Sequence, residues 1–492
     1  MSLCIQYLCP GRTAWTFCIL CLSLHAFKLQ AQTEMEYPLL EVLETTGQPH
    51  QYRVTLYNQG QSPAQFRWPK HAQVDKDPVN DTPCEPYSRG SNTLAANHCT
   101  SALITPPEVS ASWQRFDTST GQPSVLHQLK GEDWLVDSQA HLLVELRLPP
   151  NYVVSSPWAE QITEAGHVRF PVPSSPYNSD GLLLFGEFTQ ATLLINGMSV
   201  DLAYLGGNNL TAVEGWLRDN LRQNITTFGA VARPDLQVIV VPVAGHHSES
   251  PVPFGHVIRA GNNSIRFFVA NNASYAELMA DWTATHEFSH LLLPYLGYDG
   301  KWVSEGFASY YQNVLMAQEG QYSAEQAWQN LLAGFARAIQ VRPLTSPNNS
   351  VELGMRQARM MIYWSGAALA LMADVEIRQQ TKGERTLANL LGEFAECCFD
   401  QQPTWNTTNY LQALDKHLAQ PVLMPLYNRY ADRPGLPDVA NTLRALGISH
   451  RDFQSVTLVK GPLDALRDTI MGPPQSNQTP GQPPASSTNR PD

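Results

Sequence analysis

The feature that most constrains this chain is residues 283–290, Thr-Ala-Thr-His-Glu-Phe-Ser-His, which contain the pattern H-E-x-x-H. His286 and His290 are four residues apart, so a helix brings both imidazoles onto one face. Two imidazoles on one face can bind a single metal ion. Glu287 lies one step round the helix, where its carboxylate can reach a water held by that metal. The pattern therefore predicts a helix that carries a metal site.

Flanking residues specify this helix. Ser274 and Glu277 form an S-x-x-E capping box at its predicted start, and Pro294 ends it. Two histidines and a glutamate in a largely apolar helix need partners, and a metal satisfies both imidazoles at once. The alternatives are an amphipathic helix with two histidines on its polar side, and a structural or degenerate metal site. The apolar positions are Leu278, Met279, Trp282, Leu291, Leu292 and Leu293.

A third metal ligand follows in the chain. Residues 301–311, Lys-Trp-Val-Ser-Glu-Gly-Phe-Ala-Ser-Tyr-Tyr, come after a turn that contains Gly297 and Gly300. Fourteen residues lie between His290 and Glu305, enough for a helix-turn-helix return against the first helix. Two histidines, one glutamate and an open position are typical of a catalytic zinc site. We predict one Zn²⁺ ion held by His286, His290 and Glu305.

The motif and its continuation W-x-x-E-G-F-x-S-Y-Y resemble the gluzincins, which include thermolysin and aminopeptidase N. A more specific resemblance is to the glycyl aminopeptidase family, carried also by residues 363–371 (YWSGAALAL) and 383–391 (GERTLANLL). It covers roughly residues 200–450 and implies a thermolysin-like α/β catalytic domain. It also implies a zinc metallopeptidase of aminopeptidase type, with a peptide or protein substrate, Glu287 as general base and His286, His290 and Glu305 as ligands.

The resemblance also gives Tyr363 a role. It matches the tyrosine that in related aminopeptidases stabilises the oxyanion of the tetrahedral intermediate. A phenol hydroxyl can donate to developing negative charge without carrying charge itself, which suits that role. The alternative for Tyr363 is a core tyrosine on a buried helix.

One segment departs from the family pattern. Aminopeptidases of this superfamily carry Gly-x-x-Glu on the strand before the zinc helix, and its glutamate binds the substrate amine. Residues 254–263, FGHVIRAGNN, have no acid and offer His256 and Arg259 instead. His256 is a substrate-binding candidate, with a polar loop residue as the alternative. The function is therefore open between an aminopeptidase, a zinc endopeptidase acting on blocked or internal peptides, and a non-catalytic binding protein with a relic zinc site.

The amino terminus resembles a secretory leader. Arg12 precedes an apolar run over residues 14–24, which is too short to span a bilayer. We predict a signal peptide over residues 1–31, a secreted or periplasmic protein and no stable membrane insertion after cleavage; an uncleaved anchor is the alternative. The net charge is −12 and no basic run stands out, so nucleic acid is not an expected partner.

A chain of 492 residues is too long for one core, and we expect an α+β multidomain fold. Alternating apolar runs predict an N-terminal β-rich domain over 32–200, followed by the catalytic domain over 201–345. A C-terminal helical domain is expected over 346–460. Residues 461–492, whose last part is rich in Pro, Gln and Ser, are predicted to be a disordered tail. The family's usual C-terminal PDZ domain is expected to be missing, because few residues remain after about 450.

Two further expectations concern strands and cysteines. The strand over 264–269 is predicted, from the resemblance, to be the sheet edge along which substrate pairs. Cys84 and Cys99 bracket a polar loop, where a disulfide is plausible in an oxidising compartment. Cys397 and Cys398 are adjacent, and because direct pairing of neighbours is strained, we expect buried free thiols there.

Overall fold

A computed structural model shows the α+β multidomain architecture expected from the sequence. It contains an N-terminal β-rich region, a mixed α/β catalytic region and a C-terminal helical region. The predicted signal peptide lies outside the described residues, as does most of the predicted tail. The structure describes residues 39–46, 51–74, 84–86, 92–107, 125–138, 141–158, 162–164, 167–229, 233–244, 250–261, 263–399 and 404–472.

The N-terminal region is built from three sheets around one apolar core. Its largest sheet has the order β12-β13-β10-β1-β2-β7-β4, with β5 also paired to β7, and the smaller sheets are β11-β14-β8 and β6-β3-β9. The core includes the stacked pair Trp158 and Phe170. The elements are β1 (Leu39–Thr45), β2 (Tyr52–Asn58), β3 (Ala64–Arg67), β4 (Ala72–Val74), β5 (Glu85–Pro86), β6 (Thr93–Leu94), β7 (Cys99–Ile104), β8 (Leu126–Lys130), α1 (Gly131–Trp134), β9 (Asp137–Ser138), β10 (Leu142–Arg147), β11 (Val153–Ser155), β12 (Ile162–Glu164), β13 (His167–Val172) and β14 (Leu182–Gly186).

A five-stranded mixed sheet forms the centre of the catalytic region. Its order is β15-β16-β17-β19-β18, and β17 runs parallel to both of its neighbours. Alternate residues of β17 enter two cores: Val238 packs towards helix α2, and Ile239 packs towards Leu184 of the N-terminal region. Burial on both faces explains its continuous apolar sequence. The elements are β15 (Thr189–Ile195), β16 (Met198–Tyr204), α2 (Leu210–Phe228), β17 (Asp235–Val243), β18 (Phe254–Ile258) and β19 (Ser264–Ala270).

Two sequence predictions about this sheet are wrong. Strands β15 and β16 belong to the catalytic sheet, so the N-terminal domain ends before β15 and not at residue 200. The edge strand next to the zinc motif is β18, whereas β19 (residues 264–270) is interior and pairs with both β17 and β18. A short apolar run is compatible with an edge strand or an interior strand, because the pattern indicates burial and not the order of strands in the sheet.

The predicted zinc helix is two helices. The capping box of Ser274 and Glu277 is confirmed, but it begins a short helix, α3 (Tyr275–Ala280). Asp281 has extended backbone angles, and its carboxylate accepts a hydrogen bond from the Thr283 amide at 2.8 Å. A second helix, α4 (Thr283–Ser289), therefore starts there, and a 3-10 turn over His290–Leu292 continues it. The break leaves His286 and His290 on one continuous helical segment.

The C-terminal region is helical, as expected, with one added hairpin. Its central helix α7 starts at Pro347 and is kinked at Gly354 and Ala358. By length and composition α7 could cross a bilayer, but most of its apolar stretch is buried among the other helices. The elements are α5 (Lys301–Gln318), α6 (Ala324–Ile339), α7 (Pro347–Gln380), α8 (Leu387–Cys397), α9 (Thr407–Asp415), α10 (Leu423–Tyr430), α11 (Ala440–Ala445), β20 (Ile448–Arg451), β21 (Gln454–Leu458) and α12 (Asp464–Met471).

The expectations for the tail and the cysteines have mixed outcomes. The Cys84–Cys99 disulfide is confirmed. Cys397 and Cys398 are not buried free thiols: they form a disulfide, Cys397 is exposed and Cys398 is partly exposed. The predicted start of the disordered tail at residue 461 is also wrong, because α12 follows and buries Ile470 and Met471 in the helical core.

Candidate metal centre

The three predicted ligands converge between helices α4 and α5. The Nε2 atoms of His286 and His290 lie 3.4 Å and 3.6 Å from one carboxylate oxygen of Glu305. Ligand atoms from all three residues lie within 4.8 Å of one another. Both histidines are buried, and Glu305 is 16% exposed at its side chain. Two imidazole nitrogens and a carboxylate oxygen turned towards one point are the donor set of a catalytic zinc site, so these residues fit the metal.

The outer nitrogens of both imidazoles have partners of their own. Nδ1 of His286 lies 2.8 Å from the side-chain oxygen of Gln312, and Nδ1 of His290 lies 3.2 Å from the Ser304 hydroxyl. Both partners are on α5, the helix that supplies Glu305. Such contacts fix the ring orientation and leave Nε2 free to bind a metal.

The protonation states of the three candidate ligands depend on their burial and on their closeness to one another. Burial lowers the pKa of His290 to about 4, which keeps its ring in the neutral, metal-binding form. Burial acts the same way on His286, but the contact with Glu305 and the negative charges of Glu305 and Glu287 together outweigh burial and raise that pKa. Burial alone would favour neutral Glu305, yet the two histidines hold its pKa well below the ordinary range. Glu305 is therefore an anion, as a ligand must be.

Glu287 lies beside the ligands, at the edge of the sheet. It is 8% exposed, and burial raises its pKa to about 7. The backbone amide of Val257 on β18 lies near this carboxylate and acts against the rise in pKa. A carboxylate with this pKa binds and releases a proton near neutral pH, which suits a general base.

Tyr363 comes from α7 and completes the centre. Its ring stacks against that of His286, with 5.9 Å between centroids, and its hydroxyl lies close enough to Glu305 for that carboxylate to act on its pKa. Burial, followed by the charges of Glu305 and Glu287, raises the pKa of Tyr363 far above its ordinary value, so the hydroxyl keeps its proton. The ligands and Tyr363 thus meet where the catalytic and helical regions join.

Close approach of β18 to α4 depends on Gly255. A Cβ at this position would lie 2.7 Å from Cγ of Glu287 and 2.9 Å from Cγ2 of Thr283. Any side chain would therefore push the base away from the strand. His256 follows Gly255 on β18, is exposed, and stacks on Phe254 with ring centroids 6.2 Å apart. Its position on the edge strand leaves the substrate-binding prediction standing.

Arg259 follows β18 and turns towards the metal centre. Its Nη2 donates to the backbone carbonyl of His290 at 2.8 Å, while its Nη1 is buried without a hydrogen-bond partner among the described residues. Burial lowers the pKa of Arg259 to about 10, and the charges of Glu287 and Glu305 act against this shift. Arg259 thus places a cation close to the backbone of His290.

Four features of the metal centre were not predicted from the sequence: Gly255, the contact of Arg259 with His290, Ser304 and Gln312. A local signal existed for the last two. Ser304 directly precedes Glu305, and Gln312 follows it by seven residues, or about two helical turns, so all three lie near one side of α5. The roles of Gly255 and Arg259 depend on how β18 packs against α4, which has no local signal.

No family model matches the sequence, and no curated protein matches it. Solved structures do match. An aminopeptidase N family protein from Idiomarina loihiensis superposes with a TM-score of 0.60 at 13% identity, over 83% of this chain and 78% of that one. A two-domain M1 zinc metallopeptidase, solved as a glutamate-to-alanine variant with L-arginine, gives a TM-score of 0.51 at 15% identity. The superposition covers 81% of this chain and 94% of that one. The fold is that of the M1 zinc aminopeptidases.

Because these identities are so low, the likeness establishes the architecture alone. A gluzincin-type fold is thereby confirmed. The more specific resemblance to the glycyl aminopeptidase family stays a prediction.

Proposed function

We propose that this protein is a zinc-dependent peptidase that hydrolyses peptide bonds and is aminopeptidase-like in its architecture. The observation that carries the proposal is the convergence of His286, His290 and Glu305 with Glu287 and Tyr363 around one point. A zinc ion held by the three ligands would act as a Lewis acid towards a water molecule and the scissile carbonyl group.

Glu287 and Tyr363 have separate roles in the proposed reaction. Glu287 accepts a proton from the attacking water, and its side chain packs against Gly255 at the sheet edge. Tyr363 keeps its proton and donates a hydrogen bond to the negative charge that develops on the carbonyl oxygen. A non-catalytic protein with a relic zinc site would need neither a base with a raised pKa nor a phenol beside it, so the set favours catalysis.

The substrate backbone adds to β18. Among the described residues this strand is an edge of the catalytic sheet, and Glu287 lies against it. An extended peptide can pair with such an edge through main-chain hydrogen bonds. His256, exposed on the same strand, is placed to contact a substrate side chain.

A second candidate is a zinc endopeptidase that accepts blocked or internal peptides. It is favoured by Arg259, because an aminopeptidase must stabilise a substrate ammonium with a fixed carboxylate or carbonyls. Strand β18 offers no acid, and the buried guanidinium beside it would repel an amine. Cleavage of a free-amine peptide and of its N-acetylated form separates the candidates: strict dependence on the free amine supports an aminopeptidase, and equal cleavage supports an endopeptidase.

Metal removal tests the zinc proposal itself. Dialysis against a chelator should abolish peptide hydrolysis, and added Zn²⁺ should restore it. His290→Ala or Glu305→Ala should lose the metal, because each removes a ligand that no neighbour replaces. Full peptidase activity in protein shown to be free of metal would refute the proposal.

We also propose an extracytoplasmic location. The two disulfides, Cys84–Cys99 and Cys397–Cys398, support this, because disulfides persist in oxidising compartments. Expression with the natural leader, followed by fractionation of cells and medium, tests the location.

A further inference from the structure

A second cluster of reactive side chains lies outside the metal centre, at the end of helix α8. The exposed sulfur of Cys397 is bonded to Cys398 and lies 3.9 Å from Nε2 of His417. Nδ1 of the same imidazole lies 3.1 Å from a carboxylate oxygen of Glu393. We call Glu393, Cys397, Cys398 and His417 the α8 sulfur cluster.

The cluster is held in place by its surroundings. Glu393 and Cys397 are four residues apart on α8, so they project from one side of the helix. Arg385 pairs with Glu393 and also donates to the backbone carbonyl of His417. The His417 side chain is 27% exposed, and that of Glu393 is 41% exposed. The imidazole is therefore oriented by a carboxylate and remains open to solvent.

A purely structural role for this disulfide is weak on physical grounds. A disulfide stabilises a fold mainly by closing a loop in the unfolded chain, and the effect grows with loop length. The Cys84–Cys99 bond spans 15 positions, whereas Cys397 and Cys398 are sequence neighbours and close almost no loop. Sulfur, base and orienting carboxylate instead form the arrangement that activates a cysteine nucleophile.

We propose that the α8 sulfur cluster is a redox-active site that exchanges its disulfide with thiols, with Cys397 as the exchanging sulfur. An external thiolate attacks the exposed Cys397 sulfur, the S–S bond breaks, and the electron pair leaves on Cys398, which takes up a proton. A second thiolate attacks the external sulfur of the mixed disulfide and releases Cys397 as a thiolate. In total, two external thiols lose two electrons and form one disulfide. The Cys397–Cys398 disulfide gains these two electrons and becomes two thiols.

His417 is the reason that Cys397, and not Cys398, is the exchanging sulfur. Its imidazole can hold the proton left over when Cys397 departs as a thiolate, and the resulting cation lies beside the sulfur. Glu393 stabilises that cation through Nδ1. Run in reverse, the Cys397 thiolate attacks an oxidised thiol and Cys398 resolves the mixed disulfide.

Limited reduction of the full-length protein tests the proposal first. Brief exposure to dithiothreitol, followed by iodoacetamide and peptide mass spectrometry, should open Cys397–Cys398 at least about tenfold faster than Cys84–Cys99, whose sulfurs are largely buried. Equal rates for the two bonds, or no reduction at α8, would overturn the proposal. So would alkylation of both α8 cysteines without any reductant, because the disulfide would then be absent.

Variants test the part played by His417. In the reduced protein at pH 7, Cys397 should be alkylated faster than Cys398, and His417→Gln should slow Cys397 by about tenfold. Glu393→Gln should slow it by a smaller factor, and it serves as the second variant should His417→Gln fail to fold. His71→Gln, an exposed histidine of the N-terminal region, is the matched control and should have no effect. Unchanged Cys397 alkylation in both α8 variants would show that the imidazole does not act on the sulfur.

Discussion

At the scale of single residues, the metal centre depends on the groups behind its ligands. Gln312 contacts Nδ1 of His286 at 2.8 Å, whereas Nε2 of the same ring faces Glu305. We expect Gln312→Ala to weaken zinc binding by about 10- to 100-fold, because outer partners orient the ring and raise its basicity. Competition with a chromophoric chelator measures this affinity.

The matched control is Gln326→Ala, on the exposed start of α6, where the side chain contacts Asn330 and no ligand. It should leave zinc affinity unchanged. If Gln312→Ala binds zinc as tightly as the parent protein, the contact with His286 has no orienting role.

Tyr363 allows a second prediction at this scale. Its hydroxyl is placed to donate to the reacting carbonyl oxygen but is not a metal ligand, so Tyr363→Phe should keep its zinc. The value of kcat should fall by about 10²- to 10³-fold, the usual effect of losing one oxyanion donor. Steady-state kinetics with metal analysis checks both statements. Tyr427→Phe, whose ring stacks on Trp302 away from the ligands, is the control. If kcat is unaltered in Tyr363→Phe, Tyr363 has no role in catalysis and is only a core tyrosine.

The ligand set could be predicted at this scale because metal chemistry fixes both residue types and spacing. His286, Glu287, His290 and Glu305 lie where the motif places them. Gln312 and Arg259 carry no comparable signal, because a glutamine or an arginine at a given position is compatible with many surface roles. Their contacts follow from helix and strand packing, which no short pattern encodes.

At the scale of elements, the site is assembled by the close crossing of α5 and α7. Gly306 and Gly366 face each other there, and a Cβ on Gly366 would lie 2.0 Å from the Trp302 carbonyl oxygen. This contact sets the distance between Glu305 on α5 and Tyr363 on α7.

Gly366→Ala should therefore force the two helices apart. We expect a loss of unfolding free energy of about 1–3 kcal/mol, typical of an overpacked core, together with a lower kcat. Gly215→Ala on α2 is the control: its Cβ would meet only the Tyr275 ring at 3.3 Å, and Tyr275 is 43% exposed and able to move. That change should be neutral or stabilising by up to about 1 kcal/mol. Equal melting temperatures for both variants would contradict the packing account.

Element types were easier to predict than element ends and neighbours. The capping box at Ser274 correctly marked a helix start, but the break at Asp281 was hidden because aspartate is tolerated inside helices and at their ends. Similarly, the strand over residues 264–269 was predicted, but its interior place next to β18 was not. Which strand forms the edge depends on sheet order, a property of the whole domain.

At the scale of the whole molecule, the described residues form several apolar cores, and the metal centre lies between the core of the catalytic region and that of the helical region. The N-terminal sheets support one face of the catalytic sheet through Leu182 and Leu184, and helices α2 and α4 cover the other. The domain boundary near residue 200 was misplaced because β15 and β16 alternate like the strands before them. Local periodicity does not reveal which sheet a strand joins.

The helical core is closed by α12, which permits a prediction about truncation. Ile470 and Met471 are buried, and the Ile470 carbonyl accepts a hydrogen bond from Gln318 on α5 at 3.2 Å. A chain ending at residue 461 should lose about 2–5 kcal/mol of stability, because two large apolar side chains leave the core. A chain ending at 472 is the control and should melt like the full chain. Equal melting of all three forms would show that α12 adds nothing.

Glu287 is proposed to be the base of a zinc-dependent hydrolysis, and the variant Glu287→Gln separates this role from metal binding. The amide has nearly the same shape but cannot take the proton, so kcat should fall by about 10²- to 10⁴-fold. Metal analysis of the same sample should still find one zinc ion per chain, because His286, His290 and Glu305 are untouched. Full peptidase activity in Glu287→Gln with its zinc in place would contradict the account.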